Sequence, residues 1–506
     1  MRIPFWHTRL AVPIYSVLFF VIALVVPAPG FDKAVAATTS LRADSEIWYL
    51  PDGEQTGMVG LSASYPVNSA FRVGFGSWMA VAGEKGGLIM LGLDGSFAMP
   101  LAQKTDIDTG IFIGAGGGKT GYMLTGGGLM IRSFAAIRQN IAEQTRIGGG
   151  ISYVSFPDGG AIHSWQPFLS LTVPVESSLV SGWAAGSGNQ FVFQEEPKRH
   201  RLSVVARRLF VDPAATNDLD RFQGDLSLLG IEWRTFLDDC WYIKIETEGA
   251  AGGGSMGYMQ ILGGTGLQIP LGSGFSVDTG VSVGGAGGGH VRTGGGLLLD
   301  LLAGVHWNMT PHFSSSVMVG PAVAPDGGFN AATVLFSAGY QRSNQSRVRD
   351  RVAPMHPAVL RIRTVTQRYM KASELWRTHH VDRDADVLGL QFDYFVADHV
   401  YLSGQGVAAY SGGAGAYMAG LVGPGLRQPV TGNFFIDAEV LAGAAGGGGM
   451  AMGSGLVWQA NGGIGYDISP ALSLQLSGGR MEAVNGPFKA NVISFSLDWK
   501  MKSYLN

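Results

Sequence analysis

Apolar residues alternate with small or polar ones along most of the chain. Ile107, Thr109, Ile111 and Ile113 share one parity, and Asp108, Gly110, Phe112 and Gly114 the other. The arrangement returns as Val277, Thr279, Val281 and Val283 against Asp278, Gly280, Ser282 and Gly284. It returns again as Ile436, Ala438, Val440 and Ala442 against Asp437, Glu439, Leu441 and Gly443. A period of two with β-branched residues on one face predicts strands. In the clearest stretch these are expected near 200–210, 224–236, 241–250, 257–270, 275–285, 294–307, 313–323 and 331–341. Short polar connections, such as Leu237-Asp238-Asp239 and Gly272-Ser273-Gly274, alternate with longer glycine-rich ones.

The pattern is triplicated. Glycine-rich stretches beginning at Gly110, Gly280 and Glu439 align without gaps, and the match extends outward to Gly60, Gly230 and Gly389. The same offsets place Pro100 on Pro270 and Pro429, and Asp108 on Asp278 and Asp437. Repetition at this length marks a unit that is a set of strands, not one solenoid coil. The units are read as 37–180, 181–343 and 344–506, joined by polar linkers over 176–200 and 342–357. The first unit reads as if it keeps only a remnant of its first strand, around Glu46 to Leu50, so the expected total is about 23 or 24 strands.

Composition fits an exported β protein. Of 506 residues, 77 are glycine and only 14% are charged, well below the roughly one quarter of ordinary soluble domains. The 35 basic and 38 acidic residues nearly cancel, so no global field invites nucleic acid. Residues 1–36 have the form of a signal peptide, with Arg2 and Arg9 flanking the start, an apolar run from Leu10 to Val26, and a small-x-small site ending at Ala36. Cys240 is the single cysteine, which excludes an internal disulfide.

Candidate chemistry is sparse. Gly114 to Thr120 nearly matches a phosphate loop, but the required first glycine is Ile113, and the lysine position becomes Gly289 in the second copy. His163-Ser164 has no counterpart in the other units, His379 and His380 would point to opposite faces of a strand, and no nucleophile elbow is present. No catalytic, cofactor or metal residue is therefore assigned, and the chain is not expected to be an enzyme. The acids Asp108, Asp278 and Asp437, with Arg361 and Arg363 in alternation, are the candidate pore-lining residues.

The chain resembles Gram-negative outer-membrane β-barrels, through the leader, the tight-turned hairpins, and a last strand in which Ile493, Phe495, Leu497 and Trp499 alternate with Ser494, Ser496 and Asp498. The resemblance implies an all-β, antiparallel up-and-down transmembrane barrel in the cell outer membrane, in contact with its lipid. A seven-stranded remnant would close poorly, so one wide barrel built from all three repeats is expected; three eight-stranded barrels are the alternative. The expected function is a channel passing polar solutes or exporting a polysaccharide. A non-channel surface or structural protein, adhesin-like or a scaffold, is the alternative.

Overall fold

The structure, a computed structural model, describes residues 39–68, 70–118, 124–141, 145–175, 179–181, 200–341, 358–378 and 383–503. The expected leader, Lys119, the His379-His380 pair and most of both linkers lie outside the described residues.

The strands fall into three sets. In the first, β1 (Thr39–Tyr49), β2 (Gln55–Pro66), β3 (Phe71–Ala82), β4 (Ile89–Ala102), β5 (Thr105–Gly117), β6 (Leu129–Asn140), β7 (Arg146–Ser155) and β8 (His163–Val175) close into a barrel. A short β9 (Leu179–Ser181) follows. The second barrel is β10 (His200–Val211), β11 (Leu226–Phe236), β12 (Trp241–Gly252), β13 (Met259–Gly272), β14 (Phe275–Gly287), β15 (Leu297–Asn308), β16 (Phe313–Val323) and β17 (Asn330–Gln341). The third is β18 (Ala358–Lys371), β19 (Ala385–Phe395), β20 (Val400–Ser411), β21 (Met418–Thr431), β22 (Phe434–Gly446), β23 (Leu456–Asp467), β24 (Leu472–Ala483) and β25 (Lys489–Ser503), with β9 added beside β25.

This corrects the expectation of one 23- or 24-stranded barrel. A strand has two edges, and both edges of each first strand are taken within its own repeat. Ser40 of β1 lies opposite Ser64 of β2 and Pro174 of β8. In the same way β10 pairs with β17, and β18 with β25. Apart from the three-residue β9, which pairs with the end of β25, no described strand of one repeat joins the sheet of another. The reason for expecting a wide barrel also fails, because β1 is a full strand, not a remnant.

The fold is inverted in polarity. Leu299, Leu301, Val305, Val317 and Val319 point outward and are exposed, while Arg207, Glu246 and Asp300 point inward and are buried. Aromatic pairs ring the outside at the short-turn rim: Phe71 with Phe97, Phe275 with Trp307, Phe313 with Tyr340, and Phe434 with Tyr466. Tyr153 and Trp165 pack together near the opposite, loop rim. An apolar band between aromatic girdles is the surface that membrane barrels present to lipid.

Turn chemistry is local and recurrent. Asn68, Asp238, Thr310 and Ser469 each accept hydrogen bonds from the backbone amides two and three residues on. Such side chains mimic a backbone turn and so fix the hairpin. At Asp238 the amides of Trp241 and Cys240 hold the carboxyl below its usual range.

Candidate functional site

Each barrel interior is built in two layers. Eight strands enclose a space just wide enough for side chains to fill. Toward the loop rim the filling is apolar. Trp48, Trp78, Met90 and Phe112 pack together in the first barrel, Leu209, Leu228, Tyr258 and Phe329 in the second, and Tyr369, Trp376, Tyr417 and Phe488 in the third. Toward the turn rim ion pairs dominate, with apolar side chains set among them, as where Val205, Leu302, Met318 and Leu335 cluster in the second barrel and Phe134 and Phe168 in the first.

The predicted acids and arginines sit in these ionic layers. Asp108 pairs with Arg138, Asp278 with Arg234, and Asp437 with Arg361 at 2.9 Å. The acid recurs at one position of the repeat, but its partner comes from β6, β11 and β18 in turn. Arg361 also meets Asp393 at 2.7 Å, and Arg363 is held between Asp393 at 2.9 Å and Glu439. Arg361 and Arg363, named as pore-lining candidates, are thus buried in an ion network with interior acids.

Sequence reading missed most of the network. In the second barrel, Arg207 is surrounded by Asp300 at 2.6 Å, Glu248 at 2.9 Å and Glu246 at 3.0 Å. In the first, Arg132 binds Glu46 at 2.9 Å and lies 4.4 Å from the ring centroid of Trp78. The inward parity of each strand carried the signal, since a charge there needs a partner across the lumen.

Two tyrosines tie the recurring acid down. Tyr242 donates its hydroxyl hydrogen to Asp278 at 2.7 Å, and Tyr401 does so to Asp437 at 2.6 Å. The equivalent position in the first repeat is Arg72. Replacing Tyr242 or Tyr401 with phenylalanine should cost about 1.5 kcal/mol, the lower end for a bond to a charged acceptor. Urea unfolding in detergent micelles measures it.

The His163-Ser164 pair does not form a dyad. His163 is exposed on the outside of β8, and Ser164 is buried inside, where it donates to Gln166. Among the described residues, no group of three or more His, Cys, Asp and Glu side chains could hold a metal ion.

A second site lies where the barrels meet. Met79, Ile89 and Ala115 of the first barrel, Ile261 of the second, and Leu388, Ala408 and Met418 of the third point out of their own barrels yet are buried. The contact is made head to tail. The hairpin between β3 and β4 presses Gly87 against Gly287, that between β12 and β13 presses Gly257 against Gly446, and that between β20 and β21 presses Ala416 against Gly117. A Cβ on Gly117, Gly287 or Gly446 would come within 2.8, 2.8 and 2.7 Å of the facing Cα. Gly86 donates its amide hydrogen to the carbonyl of Gly294 across the first of these junctions, at 2.9 Å.

The contact positions are equivalent in all three repeats, so the three junctions form a closed ring. The glycine-rich stretches supply the surface on which a neighbouring backbone rests. Small residues that admit backbone contact are the usual means of association in lipid, where the hydrophobic effect between surfaces is absent. Between the barrels lies a cavity of about 1240 Å³, lined by residues of all three. Its walls include Phe75, Leu91, Ile231 and Phe392, and glycine loops line one end. In its wall the rings of Phe75 and Phe392 meet across the junction of the first and third barrels, with centroids 5.3 Å apart.

The wide channel expected from the sequence is overturned by this arrangement. Among the described residues the strands enclose three separate lumens, each filled by apolar and ionic side chains.

No family model matches the chain, and no curated protein matches it. Solved structures that it is similar to are outer-membrane barrels at low identity. A ferric enterobactin receptor of Pseudomonas aeruginosa is 9% identical, with a TM-score of 0.28 over 93% of this chain and 82% of the receptor. A siderophore receptor of Acinetobacter baumannii is 8% identical, at 0.27 over 93% and 81%. A BenF-like porin of Pseudomonas fluorescens is 12% identical, at 0.23 over 92% and 98%.

Proposed function

We propose that this chain is a non-channel structural protein of the outer membrane, a scaffold of three fused barrels. The observation that carries the reading is the filled interior: buried ion pairs and an apolar layer occupy each eight-stranded lumen. A lumen closed by its own side chains leaves no path for solute, and the outward apolar band with its aromatic girdle fits a lipid surround. The head-to-tail ring makes one rigid body from three narrow barrels. The first and last strands of each barrel begin and end at the short-turn rim, which the up-and-down topology puts on the periplasmic side.

Planar bilayer recording tests this reading. Purified, refolded protein with heat-modifiable migration is expected to give no stable conductance step. A reproducible large step from the folded protein would overturn it.

A further inference from the structure

We infer that the cavity between the three barrels is a binding site for the hydrocarbon chains of a phospholipid, an inference that rests on the membrane placement proposed above. The cavity is walled by side chains that point away from the barrel interiors, among them Phe75, Leu91, Ile231, Ile261 and Phe392. They are of the same kind as the exposed residues of the outer band, so the wall continues the lipid-facing surface inward.

Size decides what fills it. An apolar cavity of about 150 Å³ can stay empty, but one of about 1240 Å³ exceeds the roughly 300–1,000 Å³ of most ligand pockets. Leaving it void would forfeit dispersion contacts along the whole wall. Water is a poor filling, because a buried water needs two to four polar partners and the strand backbones are already paired with each other. Hydrocarbon asks for no hydrogen bond and restores the contacts.

The ends of the cavity give direction. Toward the loop rim the lining changes to the glycine loops at Gly118, Gly288 and Gly447, joined by His290 and Arg377. Toward the turn rim it reaches Leu41 and Val173, near the ends of β1 and β8. The acyl chains therefore enter from the leaflet at the turn rim, the periplasmic one, with the headgroup left at that rim.

The site can be filled by mutation without touching a barrel interior. A Cβ on Gly404 would meet only Ile231 at 3.5 Å, and one on Gly406 only Leu91 at 3.5 Å. The full chain, purified from membranes in mild detergent, would be examined by native mass spectrometry and by lipid extraction. Phospholipid is expected at a fixed ratio to protein that survives exchange into fresh detergent. The G404F/G406F double variant, and independently Leu91→Trp, should lower retained phospholipid at least ten-fold while heat-modifiable migration stays unchanged.

Parent protein that holds no phospholipid, or holds lipopolysaccharide in its place, overturns the inference, as do variants that retain lipid at the parent level. Partition of the folded chain into vesicles of phosphatidylethanolamine and phosphatidylglycerol separates the two readings. A chain that partitions but retains no lipid sinks the lipid site alone. A chain that stays in the aqueous phase sinks the membrane placement as well.

Discussion

Replacing Arg207 with methionine is expected to destabilise the second barrel by about 3–5 kcal/mol, the cost of stranding buried charge when one partner of an ion pair is removed. Arg207 is fully buried and faces Glu246, Glu248 and Asp300 within 3.0 Å. Its loss strands Glu248 and Asp300 where water cannot reach them, while Glu246 keeps Lys244 at 2.8 Å. Arg208, the next residue, points the other way and makes a half-exposed pair with Asp225 at 3.2 Å. Arg208→Ala should change stability by no more than about 1 kcal/mol, as exposed pairs do. The two variants differ by one position on one strand, so the contrast isolates burial from local backbone effects. Urea titration in micelles, followed by tryptophan fluorescence, gives both numbers. Equal losses would mean that the interior is wet and the charges screened.

Leucine at Gly117 is expected to open the junction between the first and third barrels. The new Cβ would sit 2.8 Å from the Cα of Ala416, and backbone cannot step aside as a side chain can. Overpacking of this kind costs about 1–3 kcal/mol, here charged to the junction and not to either barrel. The readout is a cross-link made by a short bis-maleimide between cysteines placed at Phe75 and Phe392 in a Cys240→Ser background, since their rings are 5.3 Å apart across that junction and the reagent spans the gap the shorter side chains leave. Cross-linking should be efficient in the parent and fall at least several-fold with Gly117→Leu. Gly263→Ala and Gly462→Ala are the controls, because a Cβ there meets nothing within 4 Å. They should leave the cross-link intact.

Strand parity was legible because it is a local property. The expected strand 241–250 became Trp241–Gly252, and 313–323 was reproduced without change. The inward setting of Asp108, Asp278 and Asp437 was legible for the same reason. The first strand was not. Thr39–Tyr49 carries Ser40, Arg42, Asp44 and Glu46 at its buried parity, so it reads as a charged segment trailing the leader. In a barrel with an ionic interior, those charges are its inward face.

Closure could not be read at all, because one ring of twenty-four strands and three rings of eight share every hairpin. Only the pairing of β1 with β8 and its two counterparts separates them, and that pairing spans a whole repeat. The junctions were hidden for a related reason. Gly117 finds its contact on another copy, at Ala416, where the equivalent residues are Gly87 and Gly257. Smallness shared by two separate positions in all three repeats was the trace left in the sequence.

The head-to-tail junction also determines how many copies the gene should hold. Each barrel offers one hook, the hairpin after its third strand, and one slot, the glycine stretch after its fifth. With three copies every hook has a slot and the ring ends itself. A duplicated chain would keep one of each unfilled and invite its neighbours to add on without limit. Fusion into one chain then frees the copies to drift apart inside, as the change of Asp108, Asp278 and Asp437 to partners on different strands records. Stoichiometry is written into the reading frame, and only the surfaces that touch must stay alike.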